Sequence, residues 1–451
     1  MDTIAAISTA PGRAAVAVVR VSGPEVPVII ERLFGSSLPP REPVLRWLRD
    51  PESDDKVDQV LVTHFPAPRS YTGEEMLEIS CHGGSLAPQL ALSAVHAAGA
   101  RQAERGEFTR RAYLNGKLDL LQAEAILDIV DGRSAAGHRA ALHQLDRGLS
   151  RRIEELREAL VRCEALLVYE IDFPEEDEGP VSPEAVADAA RDVLGRIDRL
   201  LETAAQGELV REGALVVIAG RPNAGKSSLF NALCGVERAI VTEEPGTTRD
   251  AVEAVVSLDG FPFRLVDTAG LREARGTVER IGIEVARRYL ANADVVLFCA
   301  EAGRPLTEEE RGFIEGVDAD SIVLVRTKSD LVDRDAPAGP APGARDGEVI
   351  VSTPKGVGLG QLRDRLVAAV FAGLASSRVE TPLVTRERHG RELRRARSEV
   401  TDFLAARERR VAPEVAATHL RAAGVALEEM LGVIAPDDLL ARVFSEFCIG
   451  K

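Results

Sequence analysis

The stretch Gly220-Arg221-Pro222-Asn223-Ala224-Gly225-Lys226-Ser227 constrains this chain more than any other. It reads G-x-x-x-x-G-K-S, in which glycines let backbone N–H groups converge on a phosphate. The apolar run Ala214 to Ala219 precedes it and suits a buried strand. Ser228 to Leu233 follows as a helix that Gly235 would stop. Strand, glycine-rich turn and helix start are the setting this pattern requires, and the helix N-terminus adds partial positive charge. Asn223, Ala224, Gly225 and Ser228 then line the loop. Lys226 reaches the β- and γ-phosphates, and Ser227 ligates Mg²⁺.

Further stretches follow in the order a GTPase needs. Pro245-Gly246-Thr247-Thr248-Arg249-Asp250 precedes Ala251 to Leu258, which alternates like an edge strand. Thr248 is placed to complete the Mg²⁺ shell. Phe263 to Val266 leads into Asp267-Thr268-Ala269-Gly270. There an aspartate at a strand end holds Mg²⁺ through water, and the Gly270 N–H meets the γ-phosphate. Ile322 to Arg326 leads to Thr327-Lys328-Ser329-Asp330. The base-reading pattern is N-K-x-D, whose aspartate accepts from guanine N1–H and its 2-amino group. Thr327 stands in place of the asparagine, leaving one contact to base or P-loop open. Ser352 and Thr353 fit a last loop at the guanine edge. GTP is favoured over ATP.

The residue after D-T-A-G is Leu271, where many small GTPases carry a water-orienting glutamine. Leucine cannot orient water. Glu279, a little further on, is either a carboxylate that does so or a solvent-facing helix charge.

The rest of the chain frames this unit. With 451 residues, about three domains are expected. Aromatics are only 4%, so cores must be built from Leu, Val, Ile and Ala. The net charge of −16 sits mostly between residues 118 and 213, so any nucleic-acid contact needs a local basic patch. The most basic segment is Arg386 to Arg391 with Arg394, Arg395 and Arg397, which reads either as a phosphate contact or as a solvated helix face. Five scattered cysteines without C-x-x-C spacing argue for a reducing compartment. No apolar run spans a membrane. A soluble cytoplasmic protein is expected.

Residues 1–117 read as mixed α and β, with strands over Ala14–Val21, Val57–Phe65 and Met76–Ser80 and a helix over Ser85–Ala98. Residues 118–212 turn helical, and helices return from 374 to 451. Residues 213–373 alternate strand and helix, as an inserted domain would. Phe173 to Pro180 breaks the first helical run, and Ser182-Pro183-Glu184 restarts it.

The whole chain resembles the MnmE (TrmE) family of tRNA uridine-5-carboxymethylaminomethyl modification GTPases. The motifs above carry the resemblance, together with Pro11-Gly12-Arg13, Arg20-Val21-Ser22-Gly23, Gly106-Glu107-Phe108-Thr109 and the terminal Phe444-Ser445-Glu446-Phe447-Cys448-Ile449-Gly450-Lys451. It implies an α/β multidomain chain. An α+β tetrahydrofolate-binding-like N-terminal domain mediates dimerisation. An all-α helical domain is built from both flanks of an inserted Ras-like P-loop GTPase domain. It implies a homodimer working with the FAD- and NADH-dependent partner MnmG (GidA) on the wobble uridine of certain tRNAs. The carbon comes from a tetrahydrofolate derivative, in the 5-formyl or 5,10-methylene form.

The resemblance also implies K⁺-dependent pairing of G domains. The K⁺ ligands would be Asn223, Thr242, Glu244 and Thr247, in a nucleotide-facing loop that includes Glu243, Pro245 and Gly246. Glu279 becomes the catalytic residue. Arg20, Glu78 and Lys117 become folate contacts, with Lys451 arriving from the dimer partner, and Cys448 is tied to tRNA modification. A ribosome-assembly GTPase of the Era or EngA type is the alternative, sharing the G-domain motifs but lacking these two ends.

Overall fold

The computed structural model describes residues 2–172, 183–236, 252–267, 288–316, 322–332, 348–375 and 383–451. They form two compact units. The first holds Met1–Leu127, Leu145–Val161 and Arg421–Lys451, and the second holds Asp128–Gln144 and Arg162–Leu420.

In the first unit one sheet contains β1 (Ile4–Ile7), β2 (Val16–Ser22), β3 (Val44–Arg49), β4 (Lys56–Phe65), β5 (Met76–His82) and β6 (Arg101–Gln102). Their order is β3-β4-β5-β2-β1-β6, antiparallel except between β1 and β6. Successive side chains on a strand point to opposite faces. Val19, Val21, Val60, Val62, Leu77 and Ile79 therefore share one face and bury against α1 (Val26–Phe34) and α2 (Ala87–Ala97). Arg20 and Glu78, of opposite parity, fall on the other face as direct cross-strand neighbours.

The strands expected at β2, β4 and β5 and the helix expected at α2 are present to within two residues. Sequence reasoning missed β1, β3, β6 and α1. β1 and β6 are too short for alternation to register, and the edge strand β3 mixes exposed Leu45 and Trp47 with buried Leu48. For α1 a signal existed: Pro27 sits in its first turn and Gly35 caps its end.

After α3 (Glu107–Leu114) and α4 (Leu120–Val130), Leu120, Ala123 and Leu127 bury against Leu440, Val443, Phe444 and Phe447 near the C-terminus. The last residues dock beside α3. Arg105 Nε donates to Phe447 O at 3.0 Å, and Phe108 N donates to Lys451 O at 3.1 Å. Gly450 has φ 96°, and a Cβ there would lie 2.4 Å from Ile7 O, so this turn admits no side chain.

α5 (Ala135–Leu145), α6 (Gly148–Asp172), α7 (Pro183–Leu201) and α8 (Ala204–Glu212) lead toward the second sheet. α6 gives Gly148–Val161 to the first unit and its remainder to the second. α7 opens at Pro183, where the sequence signal places it.

The second sheet contains β7 (Ala214–Gly220), β8 (Val252–Leu258), β9 (Phe261–Asp267), β10 (Val295–Glu301), β11 (Ile322–Thr327) and β12 (Val349–Ile350). The order is β12-β11-β10-β7-β9-β8, parallel except for the edge strand β8. β7 and β10 are buried along nearly their whole length, as strands covered on both faces are. α9 (Lys226–Val236), α10 (Glu308–Glu315) and α11 (Leu359–Ala375) belong to the same unit. In α11 Phe371 stacks on Phe261 at 4.6 Å and meets the edge of Phe263 at 5.4 Å.

α12 (Glu387–Glu408), α13 (Pro413–Leu431) and α14 (Asp437–Ser445) complete the chain. Arg397 of α12 donates to Asp198 of α7 at 2.6 Å, and Arg407 pairs with Glu170 at 2.7 Å. Helical segments from before and after the nucleotide sheet thus meet within the second unit. Among the described residues no helix is long and apolar enough to cross a membrane. The fold class is the expected one: a multidomain chain with an α+β part, a helical part and a P-loop α/β sheet.

Candidate nucleotide and folate-type sites

β7 ends at Gly220, whose φ is 139°. A Cβ at this position would lie 2.4 Å from Cys299 O on the adjacent strand, so only glycine lets the chain turn here. Asn223 and Gly225 also have positive φ, 63° and 85°, which curls the loop onto the start of α9. Asn223 and Ser228 are exposed, whereas Ala224 is buried. Lys226 is buried, and its Nζ donates to Arg221 O at 2.8 Å across the loop. The ammonium thus lies inside the loop, where phosphate oxygens of a nucleotide would meet it.

Ser227 Oγ donates to Asp267 Oδ2 at 2.7 Å. The sheet register causes this meeting, because Asp267 at the end of β9 pairs with Ile218 of β7, just ahead of the loop. A hydroxyl at a helix start and a carboxylate at a strand end form the hard oxygen donor set that suits Mg²⁺, so the residues present fit the expected ion.

The base-reading loop lies two strands away. Thr327 ends β11, and Lys328 turns through φ 58° into a short 3-10 turn, Ser329–Leu331. Asp330 Oδ1 accepts from Ser352 Oγ at 2.7 Å, and this bond holds its carboxyl below the usual range. Ser352, 1% exposed, is itself fixed by a backbone bridge to Val357. Thr353 follows in the same turn, its carbonyl accepting from Gly356 N at 3.3 Å.

Lys328 Nζ pairs with Glu301 Oε1 at 2.5 Å. Sequence reasoning missed Glu301. The available signal was its place at the end of β10, directly opposite Thr327 in register. Thr242, Glu243, Glu244, Pro245, Gly246, Thr247, Thr248, Thr268, Ala269, Gly270, Leu271 and Glu279 lie outside the described residues.

In the first unit Arg20 donates to Glu78 Oε1 through Nε at 3.0 Å and Nη2 at 2.8 Å. Its guanidinium lies 5.3 Å from the Tyr71 ring centroid and 5.8 Å from that of Phe108. Burial pushes the Tyr71 phenol up, so it stays neutral and donates or accepts with Thr109. Lys117 is exposed and donates to Pro68 O at 3.2 Å. One loop, residues 66–75, therefore touches Arg20 through Tyr71 and Lys117 through Pro68.

An arginine, a carboxylate and aromatic faces are a donor set that fits a glutamate-tailed pterin. The resemblance brings Lys451 in from a second subunit. Within one subunit its main chain already docks at Phe108, whose ring is beside Arg20. Sequence reasoning also left Glu107 without a role. Its carboxylate accepts from Arg101 at 2.6 Å and Arg111 at 2.9 Å and braces the start of α3.

Cys448 is exposed, and its carbonyl accepts from Gly106 N at 3.4 Å. The other four cysteines are buried or half-buried. Burial raises the thiols of Cys163 to about 11 and Cys299 to about 12, which leaves them unreactive. In the basic segment Arg386 pairs with Asp128 at 2.6 Å, Arg391 with Glu392 at 3.0 Å and Arg395 with Glu392 at 3.5 Å. Much of its charge is thus answered from within the chain.

The family model described as GTP-binding protein TrmE N-terminus matches residues 3–117, and the MnmE helical domain model matches residues 120–448. The tRNA modification GTPase MnmE of Moorella thermoacetica is 43% identical over 100% of this chain and 99% of its own. The chain belongs to the MnmE family.

The MnmE proteins of Geobacter metallireducens and Aquifex aeolicus are 39% and 40% identical, again over 100% of this chain and 99% and 100% of theirs. The MnmE likeness thus includes the N-terminal part and the C-terminal tail, which the ribosome-assembly alternative lacks. Among solved structures, the G domain of the T. maritima FeoB iron transporter is 28% identical over 35% of this chain and 98% of its own, with a TM-score of 0.25. The MnmE assignment rests on the full-length relatives.

Proposed function

We propose that this GTP hydrolase of tRNA modification is a potassium-activated switch. On this reading it works as a homodimer with an FAD- and NADH-dependent partner of the MnmG type, in the cytoplasm. Together they modify C5 of the wobble uridine in certain tRNAs, adding a carboxymethylaminomethyl or aminomethyl group. The one-carbon unit comes from a tetrahydrofolate derivative. The division of labour is by domain: 1–117 for folate and dimerisation, 118–212 with 374–451 as helical frame, and 213–373 as the G domain.

The observation that carries the nucleotide half is the Ser227–Asp267 contact at the mouth of the P-loop. Mg²⁺, when bound, draws negative charge from the β- and γ-phosphates. Ser227 would ligate it directly, with Thr248, while Asp267 acts through water. Lys226 and the N-terminus of α9 stabilise the phosphates from the other side. Asp330, oriented by Ser352, reads guanine. K⁺, if held by Asn223 with Thr242, Glu244 and Thr247, would supply positive charge against the charge that grows on the transferred group. With leucine at position 271, Glu279 orients the attacking water.

The Arg20–Glu78 pair, the Tyr71 and Phe108 rings and Lys117 support the folate half. Lys451 joins them, and Cys448 serves the modification step. The deciding experiment is mass spectrometry of wobble uridines in tRNA from a deletion strain carrying this chain. Restored modification with K⁺, and hydrolysis suppressed when Na⁺ replaces K⁺, supports the reading. Equal turnover in both salts overturns the cation mechanism.

A further inference from the structure

Thr327 stands where N-K-x-D loops carry asparagine, and its geometry shows what the exchange does. The residue is 2% exposed. Its Oγ1 lies 2.7 Å from Ala224 O in the P-loop and 3.3 Å from Ala300 O on β10. Both partners are carbonyls and only accept. A hydroxyl has one proton, so that proton is committed to these two acceptors. The side chain also faces the P-loop backbone directly: a Cβ built on Gly225 would lie 3.5 Å from Thr327 Cβ.

An asparagine at this position would bring two amide protons. One would satisfy the Ala224 carbonyl. The other would remain for an acceptor on the bound base, and the acceptor on the imidazole side of a purine is N7. Threonine keeps the first bond and has nothing left to donate for the second.

We infer that residue 327 is a latch without a reading function: Thr327 ties the base-reading strand to the P-loop but leaves guanine N7 unread, so selection rests on Asp330 at the N1–H and 2-amino edge. The enzyme therefore accepts guanine nucleotides altered at N7. The inference rests on the assignment of Asp330 to the guanine edge, and its test separates the two.

Equilibrium binding of GTP, 7-deaza-GTP and xanthosine triphosphate is measured on the full chain and on Thr327→Asn, Thr327→Val and Asp330→Asn. The unaltered chain should bind 7-deaza-GTP within about twofold of GTP, since no hydrogen bond is lost. Thr327→Asn should gain a preference for GTP over 7-deaza-GTP of about fivefold, the size of one added hydrogen bond. Thr327→Val, isosteric but without the hydroxyl, should lose about tenfold in GTP affinity because the Ala224 carbonyl is left unpaired.

A preference of fivefold or more for GTP over 7-deaza-GTP in the unaltered chain overturns the inference. So does Thr327→Asn with no gain, and unchanged GTP binding by Thr327→Val overturns the latch. Asp330→Asn should turn preference toward xanthosine triphosphate, whose C2 carbonyl accepts from the new amide. If it does not, the base-site assignment itself falls, and the inference falls with it.

Discussion

Ser227 Oγ and Asp267 Oδ2 lie 2.7 Å apart, although forty residues separate them. One opens helix α9 and the other closes strand β9. Parallel pairing of β7 with β9 brings the two ends to one point. That contact places a hydroxyl and a carboxylate where the two motifs lead one to expect Mg²⁺.

Ser227→Ala should therefore act through the metal. GTP hydrolysis is expected to fall by about a hundredfold or more, as charge neutralisation at the phosphates is lost. Part of the loss should be recovered at high Mg²⁺. A Mg²⁺ titration of single-turnover hydrolysis checks this, and a curve with unchanged midpoint contradicts it.

The Arg20–Glu78 pair should be separable from the nucleotide site. Arg20→Ala is expected to weaken binding of 5-formyltetrahydrofolate by tenfold or more, the cost of one charge-assisted contact. GTP turnover should be unchanged. Calorimetric titration with the folate, beside a GTPase assay, reads both. Undiminished folate affinity would remove Arg20 from the site.

Cys448 should be the thiol that reacts in the folded protein. Iodoacetamide at neutral pH is expected to alkylate one cysteine per chain, located by peptide mass spectrometry at Cys448. Cys163 and Cys299, with thiols raised to about 11 and 12 by burial, should react only after unfolding.

The C-terminal turn should be intolerant of a side chain. Gly450→Ala forces a Cβ to within 2.4 Å of Ile7 O at a left-handed φ. The tail is expected to leave its place beside Phe108, shown by faster carboxypeptidase release of its last residues. tRNA modification should drop while hydrolysis by the separate nucleotide unit persists.

The start of α10 makes stability depend on pH. Thr307 and Glu310 form a reciprocal cap, and Arg304 pairs with Glu310 at 2.6 Å. This arginine, above all, lowers the Glu310 carboxyl to about 2 from its ordinary 4.5. A depressed carboxyl stabilises the fold fully above the unfolded value and loses that contribution as pH falls through the folded one. Glu310→Gln should thus cost about 1–2 kcal/mol at pH 7. The cost should shrink between about pH 4.5 and 2. Urea midpoints of the two proteins across that range test it.

Local signals were readable wherever chemistry demands fixed neighbours in the chain. The P-loop, Asp267 at a strand end and Thr327 to Asp330 after an apolar run each carry their meaning within a few residues. The edge position of β8 and the opening of α7 at Pro183 were equally local. Glu301 and Glu107 escaped because each acts on a partner that only pairing or folding brings near. The basic run at Arg386 could not be interpreted alone, since its answering acids Asp128 and Glu392 include one from far back in the chain.

The sequence by itself determined the phosphate loop, the order of the nucleotide motifs and the family resemblance, because a bound phosphate dictates glycines and a lysine at set spacings. The tertiary structure alone decided that Ser227 meets Asp267, that Arg20 faces Glu78 across β2 and β5 beside Tyr71 and Phe108, and that Thr327 spends its one proton on the P-loop. These depend on strand register and packing, which join residues distant in the chain and so leave no mark in local spacing.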